Sequence, residues 1–284
     1  MVTINRVASM GAAADGHRRD GRRIGFVPTM GYLHEGHLSL MKVARGRSDV
    51  LVVSVFVNPA QFGDGEDFAS YPRDLERDAA MAAGAGADIF FTPGADEMYP
   101  PGRSTSIEVG RIGDLLEGKS RPGHFRGVAT VVAKFFNIVK PHLAVFGQKD
   151  AQQAAVIRRM AADLDFGVEI VVAPIVREPD GLAMSSRNVY LSASERAQAT
   201  ALRRSLDAAL RDVAAGERDC AAINRRMREI ISNEPSAVID YISIADADTL
   251  GELPELARGT RALISLAVRI GKTRLIDNDI VIAD

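Results

Sequence analysis

Five short apolar runs, separated by helical patterns, constrain the fold of this chain more than any other feature. "RRIGFVP" (22–28), "VLVVSVFV" (50–57), "ADIFFTP" (87–93), "HLAVFG" (142–147) and "VEIVVAP" (168–174) are rich in valine, isoleucine and phenylalanine. They are apolar nearly throughout rather than alternating, as strands are when both faces of a parallel sheet are covered. Between them, "EGHLSLMKVARGRS", "DLERDAAMAAGAGA", "GVATVVAKFFNIVK" and "DAQQAAVIRRMAADL" space their apolar residues at helical intervals. This alternation predicts an α/β fold built on a doubly wound, Rossmann-like parallel sheet, with ligands at the carboxyl ends of its strands.

After about residue 176 the pattern changes. "SASERAQATALRRSLDAALRDVAAGE" opens with a Ser-x-x-Glu capping box, Ser192 to Glu195, and continues with the spacing of one long amphipathic helix. A second helix is expected at about 219–232, followed by strand-like "YISIADA", "RALISLAVRI" and "TRLIDNDIVI". The division expected is therefore 1–176 as the Rossmann-like domain and 177–284 as a smaller α+β C-terminal domain.

Composition excludes several functions. The net charge is −2 in 284 residues, so nothing draws the chain to nucleic acid or to an anionic membrane. No run reaches the roughly 18 apolar residues of a membrane span, and no charged-then-apolar leader opens the sequence, so a cytoplasmic protein is expected. A single cysteine, Cys220, leaves no intramolecular disulfide and no multi-cysteine zinc site. Two motif matches fail on context. "GDLLEGKS" (113–120) fits the phosphate-loop expression, but Leu115 and Leu116 crowd the supposed loop, and Pro122 with Gly123 stops the helix it needs. "HEGH" has its histidines three apart with Gly36 between them, whereas a zinc protease needs them four apart on an established helix.

What survives lies on one rim. "FVPTMG" ends the first expected strand and "HEGHLSL" enters a helix, where unpaired amides and the positive dipole end suit phosphate. Gly31 and Gly36 permit close approach of a ligand to the backbone. His34 and His37, three apart, share a helix face and can both donate to one anion. "FGQKDAQQ" (146–153) brings Lys149 and Asp150 to the same edge with Gln153 one turn on, and "GLAMSSRN" (181–188) supplies two hydroxyls and Arg187. The result is a cationic, hydroxyl-lined cradle with no acidic cluster for a metal of its own.

These blocks together resemble the pantoate–β-alanine ligase family: "PTMGYLHEGHLSL", "VSVFVNPAQF", "YPRDLERD", "RPGHFRGVATVVAKFFNIVKP", "FGQKDAQQ" and "REPDGLAMSSRN", in that family's order. The resemblance implies an ATP- and Mg²⁺-dependent ligation. Pantoate and ATP give an enzyme-bound pantoyl adenylate and pyrophosphate, and β-alanine then displaces AMP to form pantothenate. It implies that Met30, Gly31, Tyr32, Leu33, His34, Glu35, Gly36 and His37 line the nucleotide, with His34 and His37 on its phosphates and His37 as proton donor. Gly147, Gln148, Lys149 and Asp150 continue that pocket, Lys149 on phosphate and Asp150 on the ribose. Val176 meets the adenine, and Met184, Ser185, Ser186 and Arg187 close over the phosphates. Gln61 and Gln153 hold pantoate, and Gln61 also lies near β-alanine. A homodimer is implied as well; the metal ligands are not. The rival reading is an adenylyltransferase of the same nucleotidyltransferase class, which would release a stable dinucleotide. The stretch 61–72, with Asp64, Glu66 and Asp67 around two glycines, has little to bury and is expected to be a lid, the alternative being a plain surface loop.

Overall fold

In the computed structural model, which describes residues 1–63 and 65–283, six strands form one sheet: β1 (Val2–Ile4), β2 (Ile24–Thr29), β3 (Val50–Val55), β4 (Ile89–Phe91), β5 (Leu143–Gly147) and β6 (Glu169–Ala173). Their lateral order is β1-β4-β3-β2-β5-β6, and every neighbouring pair is parallel. From β2 the chain steps outward through β3 and β4, then returns to the other side of β2 for β5 and β6. The reversal lies between β2 and β5, the position at which open parallel sheets bind ligands.

The helices of this region are α1 (Val7–Arg19), α2 (Glu35–Arg45), α3 (Leu75–Gly84), the single turns α4 (Ala95–Met98) and α5 (Glu117–Ser120), then α6 (His124–Val139) and α7 (Ala151–Asp163). Successive strand residues point to opposite faces. Phe26 and Val52 accordingly join a cluster with Met10 of α1, Val132 and Phe135 of α6 and Ile157 of α7. Val27 and Val53 face the other way, onto Met41 of α2 and Ala82 of α3. Both faces are thus covered, which is why the strands read as continuous apolar runs. Phe135 makes edge-on ring contacts with Phe26, Phe91 and Phe56 at 5.5, 6.2 and 6.3 Å between centroids. Gly127 sets how closely α6 meets the 3-10 turn Pro59–Gln61: a Cβ there would overlap the Ala60 carbonyl and stand 2.7 Å from Gln61 Cα.

The chain divides into two compact units, one comprising Met1–Gln148 with Gln152–Pro174, the other Lys149–Ala151 with the chain from Ile175 onward. The second holds α8 (Ala193–Ala199), α9 (Ala201–Ala214), α10 (Cys220–Ser232) and an antiparallel sheet of β7 (Ala237–Asp246), β8 (Arg261–Ile270) and β9 (Thr273–Ile282) in that order. Leu202 and Leu206 of α9 and Ile223, Met227 and Ile231 of α10 cover one sheet face at Ile242, Ile264 and Leu266. The Ser192–Glu195 capping box is present. The single long helix expected beyond it is instead two. At Thr200 the hydroxyl donates to Ala197 O at 2.7 Å, a local bond that tightens the turn where α8 gives way to α9. Cys220 is buried at the start of α10, and burial pushes its thiol pKa up. Among the described residues no helix is long and apolar enough to cross a membrane.

Candidate active site

The turn after β2 is shaped by two positive φ angles, Gly31 at 89° and Tyr32 at 51°. A Cβ on Gly31 would meet Val55 Cγ1 at 2.8 Å and Asp78 Oδ2 at 3.0 Å, so only glycine fits. Thr29 Oγ1 donates to Ser54 O and accepts from Gly31 N, tying the strand end to β3. His34 then stands one residue before α2 as its N-cap, and His37 occupies the third helical position. They form a reciprocal cap: His34 Nδ1 accepts from Gly36 N at 3.1 Å, and His37 Nδ1 accepts from His34 N at 3.3 Å. The rings lie 4.1 Å apart between centroids. Because each Nδ1 accepts an amide, each neutral ring carries its hydrogen on Nε2. The sequence placed both histidines on one helix face; the structure adds that one caps the helix, and that both carry their hydrogen on Nε2 at its positive end.

Two residues the sequence reading passed over hold this turn. Asp78, on α3, is fully buried and takes Tyr32 N on Oδ2 and Leu33 N on Oδ1, both at 2.7 Å. Its neighbour Arg77 donates to Leu33 O at 2.9 Å and lies over the Tyr32 ring at 5.0 Å. Burial pushes the Asp78 carboxyl pKa up, opposed by the Leu33 and Tyr32 amides and by Arg77. A signal was present: Asp78 precedes the buried Ala82 by one helical turn, which puts a carboxylate on the inward stripe of α3. Asp78→Asn keeps the shape but replaces one acceptor by an NH₂ group facing an amide. The expected loss is about 1–3 kcal/mol of stability, with a raised KM for ATP. Urea unfolding and ATP saturation check it, and an unchanged variant would leave the clamp without consequence.

Gln61 is buried at the end of the 3-10 turn after β3. Its Oε1 accepts from Asn58 Nδ2 at 3.1 Å, and its Nε2 donates to Met30 Sδ at 2.9 Å, so the structure brings Gln61 and Met30 together. Asn58 is itself fixed by Gly127 O, Ala60 N and the Tyr99 hydroxyl. Burial, opposed by Arg103 and the bond to Asn58, moves the Tyr99 phenol up to about 12, so it stays a donor at neutral pH. Of the adjacent glutamines on α7, Gln152 is turned inward to bracket Ile112 O, Leu115 O and Glu117 N, leaving Gln153 half-buried on the first turn. Gly147 ends β5, and Gln148, Lys149 and Asp150 form the 3-10 turn that follows.

The segment after Gln61 has more to bury than its composition implied. Phe62 packs on Phe68 and Tyr71, with ring centroids 5.3 and 6.2 Å apart, and Tyr71 is buried. Arg121 grips Glu66 through two bonds of 2.7 and 2.6 Å. Burial alone would raise the Glu66 pKa; the Arg121 bonds and charge outweigh it and hold the carboxyl below its ordinary value. Asp64 lies outside the described residues. Arg121 Nη1 also meets His124 Nε2 at 3.1 Å, and His124 Nδ1 lies 2.8 Å from Gln61 O. A guanidinium only donates, so Nε2 accepts and Nδ1–H donates to Gln61 O.

Burial first, then the Arg121 charge, takes the His124 pKa from 6.5 to about 4. The unfolded chain therefore binds a proton that the folded chain refuses between those values. His124 stabilises the fold fully above pH 6.5, and that contribution is lost as pH falls toward 4, by at most about 3 kcal/mol. Urea midpoints measured from about pH 7 to 4.5 should fall more steeply for the native chain than for His124→Asn. Equal slopes would sink the assignment.

In the second unit, residues 176–188 form a braced platform. Met184 N donates to Val176 O at 3.0 Å, which puts these two predicted nucleotide contacts side by side. Asn188 Nδ2 donates to Glu178 Oε1 and Ala183 O. Arg196 bonds Asp180 through two contacts of 2.7 and 2.9 Å and Glu178 through one of 2.7 Å, and those bonds hold both carboxyl pKa values down. Ser185 caps the 3-10 turn Ser186–Tyr190 by accepting from Arg187 N at 3.3 Å, so Ser185, Ser186 and Arg187 are presented on one short turn.

The family model described as pantoate-beta-alanine ligase matches residues 2–280. The pantothenate synthetase of Heliobacterium modesticaldum is 57% identical over 281 residues, spanning 99% of either chain. The solved pantothenate synthetase of Thermus thermophilus is similar with a TM-score of 0.91 and 48% identity, over 98% of this chain and 99% of that one. The pantoate-beta-alanine ligase of Francisella tularensis, solved with beta-gamma ATP and β-alanine, is similar with a TM-score of 0.80 and 34% identity, over 98% and 97% of the respective chains.

Proposed function

We propose, for a chain that belongs to the pantoate–β-alanine ligase family and joins pantoate to β-alanine at the expense of ATP, that the ligation runs through an enzyme-bound pantoyl adenylate. The pantoate carboxylate is already ionised at neutral pH and attacks the α-phosphate without a base. The demanding charge is on that phosphate and the departing pyrophosphate, and donors fixed in advance are what stabilise it. The observation carrying this reading is the reciprocal cap of His34 and His37, which fixes both rings at the positive end of α2 with their hydrogen on Nε2. Lys149, Ser185, Ser186 and Arg187 are assigned to the phosphates, Asp150 to the ribose and Val176 to the adenine. Gln61 and Gln153 are assigned to pantoate, Gln61 also to β-alanine.

Mg²⁺ would neutralise the triphosphate. The described residues hold no group of three His, Cys, Asp or Glu side chains suited to a metal. The donor set instead fits an ion carried in by the nucleotide, with phosphate and water oxygens around it. A cytoplasmic homodimer is part of the same proposal, and sedimentation equilibrium tests its stoichiometry. The decisive experiment for the reaction is isotope exchange between pyrophosphate and ATP. Exchange should require pantoate but not β-alanine, and net AMP release should require β-alanine. Exchange without pantoate, or release of a stable dinucleotide, would overturn the adenylate reading in favour of an adenylyltransferase.

A further inference from the structure

We propose that Asn278 is a positioning residue for Lys149, and that Asp277 beside it ties this position to the platform carrying Met184–Arg187. The inference rests on the assignment of Lys149 and of that platform to the nucleotide phosphates. Consecutive residues of a strand point to opposite faces, and β9 places a buried polar side chain on each: Asp277 at 1% exposure and Asn278 at 3%. On one face, the Asp277 carboxylate takes both terminal nitrogens of Arg177, Nη1 at 2.6 Å and Nη2 at 3.0 Å. Arg177 Nη1 also donates to Gly181 O at 3.1 Å, which holds the turn between Val176 and Met184. On the other face, Asn278 Nδ2 donates to the main-chain carbonyl of Lys149 at 2.9 Å. Asp277 Oδ1 further accepts from Asn278 N at 2.8 Å, joining the two arms.

A continuous chain of bonds therefore runs from the Gly181 turn through Arg177, Asp277 and Asn278 to Lys149, all inside the second unit. Lys149–Ala151 belongs to that unit although the residues on either side of it do not. The bond from Asn278 reaches the backbone, so its effect on the Lys149 ammonium is one of placement rather than charge. Misplacing a reacting group by about 1 Å can cost as much as 10²-fold in rate, and Lys149 sits on a 3-10 turn only three residues long.

Asn278→Asp is nearly isosteric but removes the donor and sets an anion against the Lys149 carbonyl. The experiment measures pyrophosphate exchange for Asn278→Asp, Asn278→Ala, Lys149→Ala and the Lys149→Ala/Asn278→Asp double variant, with ATP binding titrated separately on each. Both Asn278 variants are expected to lower kcat of exchange roughly 10- to 10²-fold, with ATP affinity changed much less. The double variant should be no slower than Lys149→Ala alone, because a positioning residue has nothing left to position. Losses that multiply in the double variant, or wild-type kcat in both Asn278 variants, would overturn the inference while leaving the Lys149 assignment intact. Unchanged exchange in Lys149→Ala would remove that assignment and this inference with it. Near-ultraviolet circular dichroism on both Asn278 variants separates lost placement from lost folding: a native spectrum with reduced kcat in either supports placement, and a non-native spectrum in both overturns it.

Discussion

Replacing Lys149 by alanine is expected to slow adenylate formation by about 10²- to 10³-fold, the cost of removing one donor that meets charge developing in the transition state. The ammonium is the part lost. The turn that carries it stays anchored, because Asn278 holds the Lys149 main-chain oxygen, which alanine retains. Folding should therefore be unaffected, and the loss should fall on kcat of exchange more than on KM for pantoate. Pyrophosphate exchange at saturating ATP and pantoate measures it directly. A variant that keeps most of the native rate would remove Lys149 from the chemistry.

The second large effect concerns stability. The Asp277 side chain is fully buried, and Arg177, with 20% of its side chain exposed, is its counter-ion. Arg177→Ala would leave a carboxylate in the interior, still accepting from the Asn278 amide but without its counter-ion, and breaking a buried pair in this way costs roughly 3–5 kcal/mol. Arg177→Lys keeps the charge but not the two-pronged geometry, so an intermediate loss is expected. An Arg177→Met/Asp277→Leu double variant should recover much of the stability, since the penalty belongs to the uncompensated charge. Urea unfolding of the four proteins decides it. A loss under about 1 kcal/mol for Arg177→Ala would show that water reaches Asp277 once the arginine is gone.

The central sheet was readable because its strands are covered on both faces and announce themselves as unbroken apolar runs. β1 and α1 were not. The strand is only three residues long, and α1 is an alanine-, glycine- and arginine-rich helix that buries just Met10 and Ala14, too thin a stripe to register as periodicity. The break at Thr200 was hidden for a different reason. Threonine is acceptable in a helix by spacing, and only its back-bond to Ala197 O shows where the turn tightens.

Around the candidate site, residues that would touch ligand were easier to nominate than the residues behind them. His34, His37 and Lys149 have side chains suited to phosphate and stand just beyond strand ends, where ligands gather. Asp78, Arg77 and Asn278 act on main-chain atoms of other segments, and a bond to a backbone amide or carbonyl leaves no mark on the partner's side-chain identity. The pair Asp277–Asn278, set between apolar Ile276 and the Ile280–Ile282 run with only Asp279 intervening, was the nearest thing to a signal. Two consecutive buried polar residues must find partners on both faces of a sheet.

The reciprocal cap at the start of α2 also bears on the proton inventory of the reaction. With Nδ1 of His37 occupied by the His34 amide, the ring's one hydrogen is on Nε2. Handing that hydrogen to a phosphate oxygen would leave an anionic imidazolate beside a second histidine. The ring could give it up cheaply only by first taking a proton on Nδ1, and that would open the cap. The sequence resemblance casts His37 as the proton donor; a neutral ring held this way would serve instead as a fixed dipole that lends its hydrogen without surrendering it. Adenylate formation would then involve no net proton transfer to or from the enzyme. The protons to be lost in the cycle are those of the β-alanine nitrogen, which passes from an ammonium to an amide N–H, so solvent isotope effects should concentrate in the aminolysis step and be nearly silent in pyrophosphate exchange.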